Sequence, residues 1–276
     1  MLQVRRRRGQ DPLALTRRPT SDPELCQLEL QGGRAYYTRE GSGRAVVALH
    51  GYPGSVRDFR YFAPHLAEGI ELVRVALPGF GPLAQPMEDH RPEARAAHVV
   101  ELVEALDLKA AVILGHSMGG VIATEAVTRR PDLFSALALV SSPGLTLHRG
   151  LRVFPAPALS RLLDGERRAA LAAPLTRRAF RAMGFRGRYE DVELYNTIHG
   201  AARLDIHRHA RNLRRLSLPM LVAWCEDDPI VEDAIAAALH VELGATAACF
   251  DRGGHNPMYA QAAPLADALA AFLSSP

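Results

Sequence analysis

Residues 111–120 read Ala111-Val112-Ile113-Leu114-Gly115-His116-Ser117-Met118-Gly119-Gly120, and their reading decides the fold. A short apolar run ending at a glycine is a buried strand, and the G-x-S-x-G that follows opens directly onto the helical pattern Val121 to Val127. A serine on so sharp a strand-to-helix turn is forced toward unusual backbone angles, and side chains at the flanking positions would collide with the neighbouring strand and helix. Glycine on both sides of Ser117 meets that demand. The turn lifts the Ser117 hydroxyl into a cleft, and the helix N-terminus behind it supplies unsatisfied N–H groups and a positive dipole end that favour a developing oxyanion.

Outward from this segment, apolar runs alternate with helical patterns: Ala45 to Leu49, Leu72 to Leu77 and Ala136 to Val140 read as further buried parallel strands. Between them, Ala94 to Leu106 places Ala97, Val100, Val103 and Leu106 on one helical face. The alternation predicts an α/β fold with a doubly wound, mostly parallel sheet. After Ser141-Ser142-Pro143-Gly144 the rhythm breaks. Residues 146–212 are Arg-rich and helix-like with no run that reads as a buried strand, so they are expected to form an inserted helical cap. Strands return at Met220 to Trp224 and Ala247 to Phe250, with helices at Asp233 to Leu243 and Pro264 to Phe272. The catalytic domain would thus comprise residues 23–145 and 213–276. Residues 1–22 are polar, basic and without apolar period, and read as a disordered tail.

A serine hydroxyl is a poor nucleophile near neutral pH, so it needs a base within hydrogen-bond reach and an acid to fix the tautomer of that base. Asp251-Arg252-Gly253-Gly254-His255-Asn256-Pro257 puts His255 in a loop just past the last strand, which is the best placement among the eleven histidines. His65, His98 and His240 lie in helical patterns and read as surface or packing residues. Trp224-Cys225-Glu226-Asp227-Asp228-Pro229-Ile230-Val231 offers three adjacent acids at the end of the preceding strand. Asp228 is the choice, with Glu226 and Asp227 read as a solvated acidic loop. An oxyanion hole needs a second backbone N–H besides that of Met118, and His50-Gly51-Tyr52-Pro53-Gly54 after the Ala45 strand would present that of Tyr52.

These motifs in this order, H-G-x-P, G-H-S-M-G-G, an acid in D-x-I-V and G-G-H-x-P, resemble the α/β-hydrolase family of capped esterases and related hydrolases over about residues 30–275. The resemblance implies a sheet of about eight strands, an acid on the aspartate before Pro229-Ile230-Val231, and no cofactor or metal. It implies acyl transfer through Ser117 with a small carboxylic ester as the default substrate. Carbon–carbon bond hydrolysis of a diketone and perhydrolysis use the same triad in relatives, and a non-catalytic ligand receptor could share the fold. Epoxide hydrolases and haloalkane dehalogenases of this family use a carboxylate nucleophile where this chain has Ser117. Three positions depart from the family pattern: Ala76 where an aspartate is common, Cys225 at a usual glycine and Glu232 at a usual proline.

With 276 residues, 48% hydrophobic and 23% charged, the composition is that of an ordinary globule able to bury one large core. Its longest apolar stretches fall well short of the roughly 20 residues a membrane helix needs, and the N-terminal arginines precede no apolar signal core. A cytoplasmic protein is expected, with a small-molecule substrate, no membrane or nucleic-acid partner, and a monomeric or homodimeric state. Cys26, Cys225 and Cys249 suggest neither a disulfide framework nor a zinc site. The formal net charge of +3 hides a segregation: fifteen arginines against six acids give residues 146–218 a net +9, and residues 1–20 carry a net +5. The basic segment would either dock on an acidic core or let Arg149, Arg152, Arg177, Arg178, Arg181, Arg186 and Arg188 draw anionic acyl groups toward Ser117.

Overall fold

The computed structural model describes residues 23–182 and 187–275, so the basic tail expected at residues 1–22, and Arg186, lie outside the described residues. One eight-stranded sheet runs through the molecule in the order β1-β2-β4-β3-β5-β6-β7-β8. Its strands are β1 (Cys26–Leu30), β2 (Gly33–Gly41), β3 (Arg44–Leu49), β4 (Ile70–Val75), β5 (Ala111–His116), β6 (Phe134–Val140), β7 (Met220–Cys225) and β8 (Thr246–Phe250). The β1–β2 and β2–β4 pairs are antiparallel and every other pair is parallel.

The central strands read as unbroken apolar runs because both faces of the sheet are covered. Alternate residues feed two separate cores: Val47, Leu49 and Ile113 point to one side, Val46, Ala48, Val112 and Leu114 to the other. The first side is closed by α1 (Pro92–Ala105), α2 (Met118–Arg129) and α8 (Asp233–Leu243). The second is closed by Phe59, Phe62 and α9 (Ala262–Leu273), whose Leu265, Leu269 and Phe272 pack on it.

On α1 the buried stripe differs from the expected face. Arg95, Ala96, Val99, Val100, Leu102 and Val103 are buried, whereas Ala97 and Leu106 are only partly so. The stripe turns because Arg95, which reads as polar, is fully enclosed. The hairpin β1–β2 carries an ion pair of Arg34 with Glu29, and its junction with β4 is stitched by ion pairs of Arg39 with Glu71 and of Arg74 with Glu40, where the Arg74 side chain is buried.

Between β6 and β7 the described residues form α3 (Arg149–Val153), α4 (Ala156–Leu162), α5 (Glu166–Ala182), α6 (Asp191–Ala202) and α7 (Ile206–Arg215). Leu163, Phe180, Leu194 and Ile198 make a small cluster of their own, separate from both sheet cores. Helix α7 crosses the expected boundary at residue 212, and its Leu213 joins the core on the α2 side of the sheet. The arginines of this segment meet acids of the sheet domain: Arg152 pairs with Glu232, Arg208 with Glu93 and Glu125, and Arg214 with Glu242.

Candidate active site

Ser117 sits between β5 and α2 with φ 52° and ψ −126°, a conformation that costs a non-glycine residue on the order of 1–3 kcal/mol. The turn is held on both flanks: Ser117 N–H donates to Val140 O at 2.9 Å, and Ser142 Oγ donates to Ser117 O at 3.2 Å. The flanking glycines are required by close approach. A Cβ on Gly115 would come within 2.4 Å of Gly120 Cα, one on Gly119 within 2.5 Å of Leu49 O, and one on Gly120 within 2.0 Å of Ser142 Oγ.

His255 Nε2 lies 3.0 Å from Ser117 Oγ, and its Nδ1 lies 2.9 and 3.1 Å from the two carboxylate oxygens of Asp228. This geometry suits an imidazole that donates from Nδ1 to Asp228 and accepts the Ser117 hydroxyl proton at Nε2. Asp228 Oδ1 also accepts from the backbone N–H groups of Ile230 at 2.8 Å and Val231 at 3.0 Å. Burial raises the Asp228 pKa, but the His255 hydrogen bond and charge and these two N–H donors outweigh it, so the carboxyl is held below its ordinary value. The structure therefore brings together Ser117, His255 and Asp228, the three residues singled out from sequence.

Tyr52 and Met118 flank the serine, the first from the loop after β3 and the second from the first turn of α2. Gly51 packs so tightly beside it that a Cβ there would lie 2.9 Å from Ser117 Cβ. Met118 opens α2, so its N–H belongs to a first turn that has no intrahelical acceptor. Among the described residues no protein acceptor takes the Tyr52 N–H. An oxyanion is the kind of group that such donors accommodate.

Four neighbours carry weight that the sequence reading did not assign. His50 donates from Nδ1 to Gly51 O at 2.8 Å and accepts from Leu77 N–H at Nε2 at 3.1 Å, tying the loop after β3 to the loop after β4. Burial pushes its pKa down to about 4, which keeps it in this neutral tautomer. His116 donates from Nε2 to His255 O at 2.8 Å; burial and the nearby His255 push it down to about 3. Asp227, expected to be merely solvated, accepts from Gly253 N–H at 2.9 Å and Gly254 N–H at 2.8 Å and so pins the loop that carries His255. Arg95 donates to Pro78 O at 3.0 Å and His90 O at 2.9 Å while its guanidinium lies 4.8 Å over the Tyr52 ring.

The departure at Glu232 has a visible use. Its carboxylate accepts from Arg149 N–H at 2.6 Å and pairs with Arg152, while His148 donates from Nδ1 to Ile230 O at 3.0 Å. The start of the helical insertion is thus fastened to the loop that carries Asp228. The cysteine at position 225 is buried and free, and burial pushes its thiol well above the ordinary range.

Sheet, elbow and relay define a hydrolase fold, and the wider comparison agrees. The profile of the Alpha/beta hydrolase family matches residues 46–268, and the chain belongs to that family. The uncharacterized hydrolase YugF of Bacillus subtilis is 27% identical over 238 residues, covering 79% of this chain and 86% of that protein. The soluble epoxide hydrolase of a Corynebacterium strain is 33% identical over 120 residues, covering 43% of this chain and 42% of that enzyme. The crystal structure of a bromoperoxidase from Bacillus anthracis superposes with a TM-score of 0.72 at 20% identity, covering 91% of this chain and all of that one. The last likeness is one of fold.

Proposed function

We propose that this chain is a serine hydrolase that cleaves a small carboxylic ester or similar acyl substrate through an acyl-enzyme on Ser117. The observation that carries the reading is the unbroken run of hydrogen bonds from Ser117 Oγ to His255 to Asp228. In the proposed reaction Ser117 Oγ attacks the substrate carbonyl and its proton passes to His255 Nε2. The N–H groups of Tyr52 and Met118 hold the oxyanion, and His255 returns the proton to the departing alcohol. Water, activated by His255, then attacks the acyl-enzyme and frees Ser117. Asp228 holds the imidazole in the required tautomer throughout.

The helices at residues 146–212 are read as a cap over this site. Support comes from contacts with its loops: Asn196 Nδ2 donates to Gly79 O at 2.9 Å, Glu193 accepts from Gly81 N–H at 2.9 Å, and a Cβ on Gly200 would lie 2.8 Å from Tyr52 Cε2.

The partial match to epoxide hydrolases offers a second reading, epoxide opening. A neutral hydroxyl nucleophile suits acyl transfer, so esters are favoured. Purified protein is assayed with activated esters of increasing acyl length and with an aromatic epoxide, and labelled with a fluorophosphonate. A burst of chromophore and label on Ser117, both lost in Ser117→Ala, are expected; that substitution removes about 10⁶-fold from turnover in a comparable triad. Ester turnover that survives Ser117→Ala, or activity on the epoxide alone, would overturn the proposal.

A further inference from the structure

The outer side of the helical insertion carries large apolar side chains that nothing in the chain covers among the described residues. Val153 on α3, Leu162 on α4, and Leu171 and Leu175 on α5 are 75%, 65%, 85% and 74% exposed. Leu171 and Leu175 stand one turn apart on α5, whose inward residues Ala173 and Phe180 are buried. Arg168 lies three residues before Leu171 and Arg178 three after Leu175, so helical geometry sets these four side chains along one outer stripe. Both arginines are exposed, and among the described residues neither has a carboxylate partner, in contrast to Arg177, which pairs with Asp191.

We propose that this stripe is a docking surface for an anionic phospholipid bilayer. Charge decides among occupants. A second copy packed through the same face would set arginine against arginine, and the chain's own first 20 residues carry a net +5 that the stripe repels. Nucleic acid would use the cations but leave the leucines in water, with no aromatic ring on the stripe for a base to stack on. An anionic lipid surface satisfies both features, with guanidinium groups at the headgroups and leucines at the acyl boundary. No helix among the described residues is long and apolar enough to cross a membrane, so the contact is peripheral. The sequence-based expectation of no membrane partner rested on the lack of a span, which bears on crossing and not on adhesion.

Docking is independent of the proposed reaction, so full-length wild type and Ser117→Ala proteins are sedimented side by side with vesicles of phosphatidylcholine alone or with about a third phosphatidylglycerol. Both proteins are expected to bind the anionic vesicles and not the neutral ones, and to be released by salt. Leu171→Gln with Leu175→Gln, and Arg168→Gln with Arg178→Gln, are each expected to weaken binding about tenfold or more with unchanged circular dichroism, because the four side chains are solvent-facing. Replacing Arg5, Arg6, Arg7 and Arg8 by serine is expected to leave most of the binding in place. The proposal is overturned by failure to sediment with anionic vesicles or by loss of binding only in the Arg5–Arg8 variant. It is equally overturned by a wild-type dimer in light scattering that the leucine changes dissolve, or by DNA binding that matches vesicle binding and ignores them.

Discussion

The sheet and the helical insertion of this chain are stabilised differently. Each face of the sheet carries an extended apolar core, so β3 and β5 tolerate no polar residue along Val46 to Leu49 or Val112 to Leu114. The insertion has a core of four fully buried side chains, Leu163, Phe180, Leu194 and Ile198, and is fastened to the sheet domain largely by arginine–carboxylate pairs and loop hydrogen bonds. Where both partners are exposed, as in Arg214–Glu242, such a pair contributes at most about 1 kcal/mol, whereas the Glu125 and Glu232 carboxylates are largely buried beside their arginines. The difference teaches where rigidity is placed. The candidate reacting groups all stand on the loops of the well-packed part, and the insertion touches those loops without supplying the nucleophile, base or acid.

The largest effect that would break this picture lies in the loops themselves. Asp228→Asn is expected to lower kcat about 10⁴-fold, as in a comparable triad, because the amide stabilises the wrong tautomer of His255. Asp227→Asn is expected to stay within severalfold of wild type, since its amide oxygen can still accept from Gly253 and Gly254. Asp227→Ala, which frees the loop under His255, is expected to fall between the two. Steady-state kinetics on the three variants decides it, and an Asp227→Asn protein as impaired as Asp228→Asn would assign the acid to the wrong residue.

The next contrast is in stability. Leu114→Ala, in the middle of the sheet, is expected to destabilise the whole molecule by about 2–5 kcal/mol in denaturant unfolding. Phe180→Ala is expected to leave the main transition nearly in place while speeding tryptic cleavage at the arginines of α5, because its cluster opens locally. Equal shifts of the main transition for the two variants would show one cooperative unit.

The same contrast governs what could be read from the chain. Strands buried on both sides leave continuous apolar runs, and the elbow at Ser117 announces itself through glycines that the geometry requires, so the sheet's centre and the three residues now within hydrogen-bond reach were legible. The β1–β2 hairpin was not read strand by strand, since Glu29, Arg34, Arg39 and Glu40 interrupt its apolar pattern with ion pairs, within the hairpin and to β4. Arg95 misled the helical face of α1 because its burial depends on carbonyls from residues 78 and 90, which no local pattern reveals. His116 was visible as a letter of the motif, but its hydrogen bond to His255 O joins residues 139 positions apart. Asp227 and Asp228 are chemically alike, and only the fold shows one carboxylate on a ring nitrogen and the other on two backbone amides.

The smallest expected effect lies at the seam between the two regions. Asp58 accepts from Ser55 N–H at 3.3 Å and from the Tyr259 hydroxyl at 3.5 Å, with Arg60 on the sheet-domain side and Tyr189 and Glu193 of the insertion near it. Burial pushes its carboxyl up to about 7, against the lowering by Ser55, Arg60 and Tyr259 and with the help of Glu193. In the unfolded chain the group loses its proton near the ordinary 3.8, so between that value and about 7 the folded protein binds more protons than the unfolded one. Stability from this group is therefore fully present below 3.8 and declines as pH rises through 7. Asp58→Asn cannot ionise and escapes the decline. The melting temperature of Asp58→Asn relative to wild type is expected to climb by a few degrees from pH 4 to pH 7 and to level off above pH 8, measured at constant ionic strength. Parallel melting curves for the two proteins across that range would mean that the Asp58 carboxyl titrates as an ordinary solvated aspartate, and that the seam is wetter than its packing implies.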